Sequence, residues 1–414
     1  MKIRKMWAAL GPGLITGIAD NDLSSIATYA IAGAKFGYSL LWVLLFTTPF
    51  MIAIQKMCAR IGALSGCGLA GNMRRHYPFW LMLLMAASIL IANVVNIGAD
   101  LYGMAEATRL VIPVGGTLIV AVTSAIVLIL IVVLRYRQIE AVFKWLALTL
   151  AVYIIAAITA HPDIVRVLHG LLVPTIVNRE MGVVAFAVLG TTISPYLFFW
   201  QASQEAEETR LDNPAIRVCR FRPVKRGTLN QISWDTRFGM IFSNLVSGFI
   251  IILTGTVIFS SGPANLTALS QIAATLGHFA GPFATWLFVI GLLSAGLLAV
   301  PVLAGSAAYV VSEIMGWKAS IDKPLRGAPQ FYTVMLLAVA CSMIIPFLGY
   351  SPIEALLFAA IINGAIAPLL LMVIVHMAKN KNIVGPNASD PATHWLAVSA
   401  ILLLLVGAVY TIIT

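Results

Sequence analysis

The chain has 414 residues, of which 60% are hydrophobic and only 10% are charged, and its mean hydropathy is +0.95. A water-soluble protein carries about 25% charged residues, so this composition excludes a soluble enzyme, a nucleic-acid-binding protein and a disordered scaffold. It predicts a polytopic membrane protein, in which the net charge of +10 reports topology rather than a nucleic-acid partner. The four cysteines are scattered and indicate neither a zinc site nor a disulfide framework.

Eleven apolar runs approach the length of about 20 residues that a membrane-spanning helix needs. They lie at 12–31, 39–62, 80–110, 117–134, 142–160, 182–203, 238–260, 280–314, 331–350, 352–377 and 395–413. The links at 113–116 and 349–352 predict tight turns between antiparallel helices. The basic start resembles a signal peptide, but no cleavage site follows, so we interpret the first run as a retained span.

Basic residues predict the orientation of these spans. Outside segments hold little beyond Lys35, Arg109, Arg166 and Arg179 if the N-terminus is cytoplasmic. The cytoplasmic segment 204–237 alone carries Arg210, Arg217, Arg220, Arg222, Lys225, Arg226 and Arg237. This asymmetry predicts an odd number of spans with the C-terminus outside. We interpret 204–237 as a topology-setting loop, and the alternative is that it binds anionic lipid.

The first span contains the densest group of polar residues. From Asp20 to Ser25 there are two carboxylates, an amide and two hydroxyls, a poor fit to a helix that faces lipid. A broken helix fits better, because unwound backbone is tolerated at this depth where it lines a cavity. The alternative is that Asp22 or a neighbouring serine only caps the second half-helix, although capping and ion binding can coexist.

The sixth span has a matching interruption at Gly190–Tyr196. Pro195 lacks a backbone donor and tends to kink or break a helix, so an ordinary proline kink is the alternative. Placement favours a functional break, because spans 1 and 6 begin two five-helix halves of opposite orientation. After this span, Glu205, Glu207 and Glu208 are expected to form a solvated face, with a role in an exit path as the alternative.

The residues of the two breaks indicate the kind of ion. Asp22 supplies charge, Ser25 and Ser194 supply hydroxyl oxygens, and the backbone at Ala19 and Thr191 supplies carbonyl oxygens. Neither break contains His, Cys or Met. An all-oxygen site suits hard cations such as magnesium, calcium or manganese, and partly hydrated magnesium needs few protein ligands.

At these residues the chain resembles the Nramp (natural resistance-associated macrophage protein) family of divalent-metal transporters. The resemblance covers nearly the whole chain and is strongest in 11–42. It implies an all-α polytopic membrane protein of the LeuT type within a single transmembrane transporter domain, 1–414. An inverted repeat of five plus five helices, at 1–160 and 182–378, is then followed by an extra eleventh helix at 395–413.

The chain departs from the family's ion-site motifs. The family has Asp-Pro-Gly-Asn in span 1, where this chain has Asp22, Leu23, Ser24 and Ser25. In span 6 it has Met-Pro-His, where this chain has 194–196, Ser-Pro-Tyr. The resemblance implies that Asp22 binds the metal, that losing the methionine weakens transition-metal preference, and that losing the histidine affects proton movement. This pattern resembles the Nramp-related magnesium transporter branch.

Four further residues are candidates for the ion path. Tyr196 replaces the family histidine, and Asn244 matches a family asparagine near that path. Asp100 could replace the acidic residues of span 3, although one helical step of about 100° turns it away from the aligned Ala99. Asp20 is added to the usual motif, where it either enlarges an anionic vestibule or pairs with Arg or backbone donors.

We therefore expect a secondary transporter, not an enzyme, that imports a hard divalent cation by alternating access without proton coupling. Magnesium is the first expectation for the ion and manganese the second. The alternatives are a proton-coupled manganese or iron importer and an organic-solute transporter of the same architecture. The cation is the substrate, no cofactor is expected, and the other partner is the lipid bilayer, with no nucleic acid and no ATP-hydrolysing site. We expect a bacterial inner (plasma) membrane, with the N-terminus cytoplasmic.

Overall fold

A computed structural model describes residues 11–112, 116–133, 150–212, 219–259, 282–387 and 389–413, which contain helices and no strand. The first half contains α1 Pro12–Ala19, α2 Leu23–Phe36, α3 Leu41–Ser65, α4 Leu69–His76, α5 Phe79–Arg109, α6 Gly116–Val133, α7 Leu150–Thr159 and α8 Ile164–Leu172. The second half contains α9 Arg179–Thr192, α10 Pro195–Asp212, α11 Arg226–Val257, α12 Pro282–Met315, α13 Pro329–Ser342, α14 Pro352–Met377, α15 Lys381–Val384 and α16 Pro391–Ile413.

Every predicted span contains helix within these ranges, and eight helical segments are long and apolar enough to cross a membrane. The turn at 349–352 is confirmed, since Gly349 has a φ of 84° and Ser351 caps α14. The core of the link at 113–116 and the first part of the fifth predicted span lie outside the described residues. The interpretation of 204–237 as a loop is wrong in part, because α10 continues to Asp212 and α11 begins at Arg226.

Both predicted breaks are present, and each divides the first helix of a half. The first lies between Ala19 and Leu23, where three polar residues interrupt the helix. The second lies between Thr192 and Pro195. Pro195 cannot donate to a preceding turn and restricts the residue before it to extended backbone, which explains why α9 ends there.

Helix α11 holds the first broken helix in place by packing against α1, α2 and α3. The Asp235 carboxylate accepts hydrogen bonds from the amides of Gly11 and Gly13, at 3.0 and 2.7 Å. A side chain of α11 thus provides acceptors for backbone amides at the start of α1, which have no acceptor within their own helix. One turn on, the two helices meet so closely that a Cβ on Gly17 would collide with the Gly239 backbone, and a Cβ on Gly239 with the Gly13 backbone. Small residues permit this approach in membrane helix pairs.

The structure contains a disulfide that the cysteine spacing did not indicate. Cys67 and Cys219 are bonded, with 5.2 Å between their Cα atoms, while Cys58 and Cys341 are free. The bond joins the link after α3 to the segment before α11. The partners are 152 positions apart, and a pairing across that distance leaves no spacing signal in the sequence.

The predicted solvated glutamate face is also wrong for two of its three members. Glu205 and Glu207 are buried, whereas Glu208 is exposed. Glu207 accepts a hydrogen bond of 2.6 Å from the Tyr309 hydroxyl and another from Ser320. Packing of α10 against α12 encloses these side chains, and sequence alone does not reveal which helices are neighbours.

Candidate ion-binding site

Asp22 lies at the centre of the first break and begins α2. Its backbone is extended, and its Oδ1 accepts hydrogen bonds from the Ser25 amide at 2.7 Å and the Ser24 hydroxyl at 2.8 Å. Asp22 is therefore a helix cap, as the alternative prediction stated. The side chain is fully buried, so the capping carboxyl group lies inside the protein, away from water.

The second break contacts the first through Tyr196. Its hydroxyl donates to the carbonyl of Ala19 at 2.8 Å and lies 3.4 Å from Oδ2 of Asp22. The Tyr196 carbonyl in turn accepts a hydrogen bond from Ser306 of α12 at 3.0 Å. Tyr196 thus links the end of α1, the start of α2 and the start of α10.

Hydroxyl groups make a second link between the breaks. The Ser25 hydroxyl donates to the Asp20 carbonyl at 2.8 Å and is hydrogen-bonded to the Thr191 hydroxyl. The Ser194 hydroxyl donates to the Thr191 carbonyl at 2.5 Å. All five predicted ligand residues therefore lie at the two breaks, and the carbonyls of Ala19 and Thr191 already accept internal hydrogen bonds.

Helix α5 adds an amide and a third carboxylate. The Asn96 amide donates to Oδ2 of Asp22 at 3.0 Å, and Oδ1 of Asp100 accepts from the Ser24 amide at 3.2 Å. Asn96 and Asp100 are four residues apart and so share one face of the helix. The turn away from Ala99 is what brings Asp100 to the first break.

Asp20 is held by α11. Its Oδ2 accepts a hydrogen bond of 2.5 Å from Ser243, and Ser243 also accepts one of 3.1 Å from the Asn21 amide. Asn244, the predicted path residue, points elsewhere, because its amide donates to Thr48 of α3 at 2.8 Å. Sequence analysis did not predict Ser243 as a site residue. The one pattern that could have indicated it is its i, i+4 spacing with Ser247, which places both hydroxyls on one face of α11. Ser247 contacts Asn21 of the first break.

The site has more buried hydrogen-bond acceptors than donors, and its aspartates have no cationic partner among the described residues. Buried oxygens of Asp20, Asn96 and Asp100 lack a hydrogen-bond donor, and none of the described ion pairs involves Asp20, Asp22 or Asp100. In the ranges that the structure covers, no three His, Cys, Asp or Glu side chains converge on one point. A cation bound here would therefore take part of its shell from hydroxyl, amide or carbonyl oxygens.

Comparison with known sequences identifies the family. The sequence model described as natural resistance-associated macrophage protein-like, Nramp, matches residues 13–414. This chain belongs to the Nramp family. As an Nramp protein it is a membrane transporter and not an enzyme, and the resemblance predicted from the two breaks is confirmed.

Relatives of this Nramp chain include two proteins named divalent metal cation transporter MntH. The one from Klebsiella pneumoniae is 26% identical over 403 residues, covering 95% of this chain and 90% of the relative. The one from Bradyrhizobium diazoefficiens is 24% identical over 419 residues, covering 97% of this chain and 88% of the relative.

Solved structures show the fold of this Nramp chain. A manganese transporter from Eremococcus coleocola superposes with a TM-score of 0.74 at 18% identity, covering 100% of this chain and 87% of the other. The structure of MhsT in complex with L-phenylalanine superposes with a TM-score of 0.61 at 14% identity, covering 96% of this chain and 98% of the other. The predicted all-α, LeuT-type architecture is therefore confirmed.

Proposed function

We propose that this Nramp protein transports a divalent metal cation by alternating access and binds it where the two broken helices meet. The observation that carries the proposal is the set of buried oxygens on Asp20, Asn96 and Asp100 that lack donors beside the Asp22 carboxylate. Burying unpaired acceptors and charges is costly unless a cation or donor reaches them. A divalent ion would supply that missing charge.

The proposed ligands are Asp22, Ser25, Ser194 and the backbone oxygens of Ala19 and Thr191. Asp22 supplies the charge, and the others complete an oxygen shell that retained waters can share. Because both carbonyls accept hydrogen bonds from residues of the second break, ion binding would exchange those hydrogen bonds for metal contacts. Binding and a movement of α10 relative to α1 are coupled in this scheme.

The proposed path adds Asp20, Asp100, Tyr196 and Asn244. Asp20 and Asp100 lie on two sides of the first break. Asp20 contacts Ser243 of α11, and Asp100 contacts the Ser24 amide of α2. Tyr196 closes the space between the breaks. Asn244 has an unpaired buried oxygen next to α3, so we assign it to the path beside α11 rather than to the ion shell.

We propose that the transported ion is manganese, with magnesium as the alternative. The relatives are named for divalent metals and for manganese, which favours the manganese alternative over magnesium alone. Neither break holds a sulfur or imidazole ligand, and carboxylate, carbonyl and water ligands suit both ions. An organic substrate has less support, because its carboxylate would meet the acidic first break.

We propose uptake without proton coupling. Tyr196 occupies the position where the resemblance places a histidine, and a phenol, unlike an imidazole, does not take up or release a proton of its own near pH 7. Asp100 keeps the coupled alternative open, since its Oδ2 lacks a donor. Metal uptake that leaves a lumenal pH dye unchanged would support uncoupled transport, and acidification that accompanies uptake would overturn it.

We propose that the protein imports the ion, because an inward-negative membrane potential favours inward movement of a cation. We place the N-terminus in the cytoplasm of a bacterial cell, from the distribution of Lys and Arg, with repeats at 1–160 and 182–378 and the extra helix at 395–413. An inward-negative potential favours import by about 2.3 kcal/mol per charge for each 100 mV. A divalent ion can therefore accumulate without a second gradient.

Uptake of Mn²⁺ and Mg²⁺ into proteoliposomes tests the site. Asp22→Asn keeps a side-chain oxygen for the Ser25 amide but removes the charge, so we expect uptake of both ions to fall to background. Asp163→Asn is the matched control, because exposed Asp163 caps α8 through the Val165 amide at 3.1 Å.

The control should transport like the wild type. Normal uptake by Asp22→Asn would overturn the binding site, and equal loss in both variants would show that the loss does not come from the charge at the first break. Folded wild-type protein that takes up neither ion would overturn the proposed substrate class.

A further inference from the structure

A basic cavity of about 520 Å³ lies on the face of the molecule where α3 ends and α11 begins. Its walls carry four cationic side chains, Lys56, Arg60, Arg226 and Arg237. These belong to two different helices and converge on one space. Such convergence is more than an even spread of positive charge over a membrane face, which is all that topology requires.

Few anionic groups neutralise this cavity. Lys56 pairs with Asp390 at 3.3 Å, and Arg60 donates to the Asn387 carbonyl at 3.0 Å. Arg226 and Arg237 are exposed, and none of the described ion pairs includes them. The cavity therefore carries a net positive charge that an anionic ligand would balance.

The start of α11 lies at this cavity, and the backbone amides at the start of a helix attract anions. The helix begins at Arg226, and the side chain of its N-cap, Lys225, makes no capping hydrogen bond. The first amides of a helix lack intrahelical acceptors and attract anions. Basic side chains thus line the cavity beside the start of this helix, a combination that suits a phosphate group.

An apolar stripe continues from the rim of the cavity along α11. It consists of Trp234, Phe238, Ile241 and Leu245, which are 48–67% exposed. Their spacing places them on one face of the helix. Trp234 also lines the cavity, and the guanidinium carbon of Arg237 lies 5.2 Å from the centroid of its ring. Tryptophan is typical of the membrane–water boundary, so the stripe is a surface for acyl chains.

We propose that this cavity binds the headgroup of an anionic phospholipid, whose acyl chains lie along the stripe on α11. A free phosphate would contact only the cationic groups, whereas a phospholipid would also place its acyl chains against the adjoining stripe. The proposal is independent of the ion that the protein transports. It does connect the lipid to the first break, because α11 carries the Ser243 hydroxyl that contacts Asp20.

Lipid retention by purified protein in native mass spectrometry tests the proposal. Wild-type protein should retain phosphatidylglycerol in preference to phosphatidylcholine. The variant Arg226→Gln/Arg237→Gln should bind phosphatidylglycerol about 30-fold more weakly, the loss expected for two basic residues near a membrane surface. Arg226→Lys/Arg237→Lys keeps both charges and should restore retention.

The matched control is Arg220→Gln/Arg326→Gln, which removes the same charge from residues that do not line the cavity. It should retain phosphatidylglycerol like the wild type. Equal weakening in both Gln variants would overturn the proposal in favour of general surface attraction. Displacement of the lipid by millimolar inorganic phosphate would overturn it in favour of a small-anion site, and equal retention by all variants would show that the cavity binds no lipid.

Discussion

The Tyr196 hydroxyl donates a 2.8 Å hydrogen bond to the Ala19 carbonyl and so joins the second broken helix to the end of the first half-helix. The end of a helix leaves carbonyl oxygens without intrahelical donors. Here one such oxygen is satisfied by a side chain 177 residues away. Because the same oxygen is a proposed metal ligand, Tyr196 and the ion compete for it.

This competition predicts a metal-dependent effect of Tyr196→Phe. Without metal the variant leaves the buried Ala19 carbonyl unpaired, which should lower stability by about 1–3 kcal/mol. Saturating Mn²⁺ should remove most of that deficit, because the ion then occupies the carbonyl. Melting temperatures with and without Mn²⁺ measure both effects.

Tyr38→Phe is the control for this comparison. The Tyr38 hydroxyl bonds to Thr256 at 2.8 Å, away from the two breaks, so its deficit should be the same with and without metal. A Tyr196→Phe deficit that Mn²⁺ leaves unchanged would contradict the competition.

Ser194→Met should change ion selectivity. It adds a soft thioether to an otherwise all-oxygen site, which favours manganese over magnesium. We expect the ratio of Mg²⁺ to Mn²⁺ uptake to fall, measured in parallel proteoliposome assays. Ser194→Leu has similar bulk without sulfur and should lower both uptakes together. Equal ratios in the Met and Leu variants would show that residue 194 does not contact the ion.

Local chemistry made the two breaks predictable. Pro195 ends α9 through a backbone property that sequence displays directly, and Asp22 is a residue type that caps helices. The contacts of Asn96 and Ser243 were not predictable in the same way. They depend on which faces of α5 and α11 meet the first break, and helix neighbours are decided by packing over the whole chain. Asn244 illustrates the point, since one helical step directs it to Thr48 instead.

The Cys67–Cys219 bond predicts how the cysteines react. In protein denatured without reductant, only Cys58 and Cys341 should react with a maleimide, and all four should react after reduction. In oxidised protein, closing so long a loop should contribute about 2–4 kcal/mol to stability, so Cys67→Ser should lower the melting temperature measured without reductant. Cys341→Ser removes an exposed free thiol and should not. Labelling of four cysteines in oxidised, unreduced protein would contradict the bond.

The contact between Gly17 and Gly239 predicts a strong effect of one added methyl group. In Gly17→Ala the new Cβ would collide with the Gly239 backbone, and overpacking of this kind costs about 1–3 kcal/mol. We expect a lower melting temperature and slower metal uptake, because α1 can no longer lie against α11.

Gly227→Ala is the matched control, since nothing lies within 4 Å of its added Cβ. In a helix that change should be neutral or stabilise by up to about 1 kcal/mol. Wild-type stability and uptake in Gly17→Ala would mean that α1 and α11 do not meet at these two glycines.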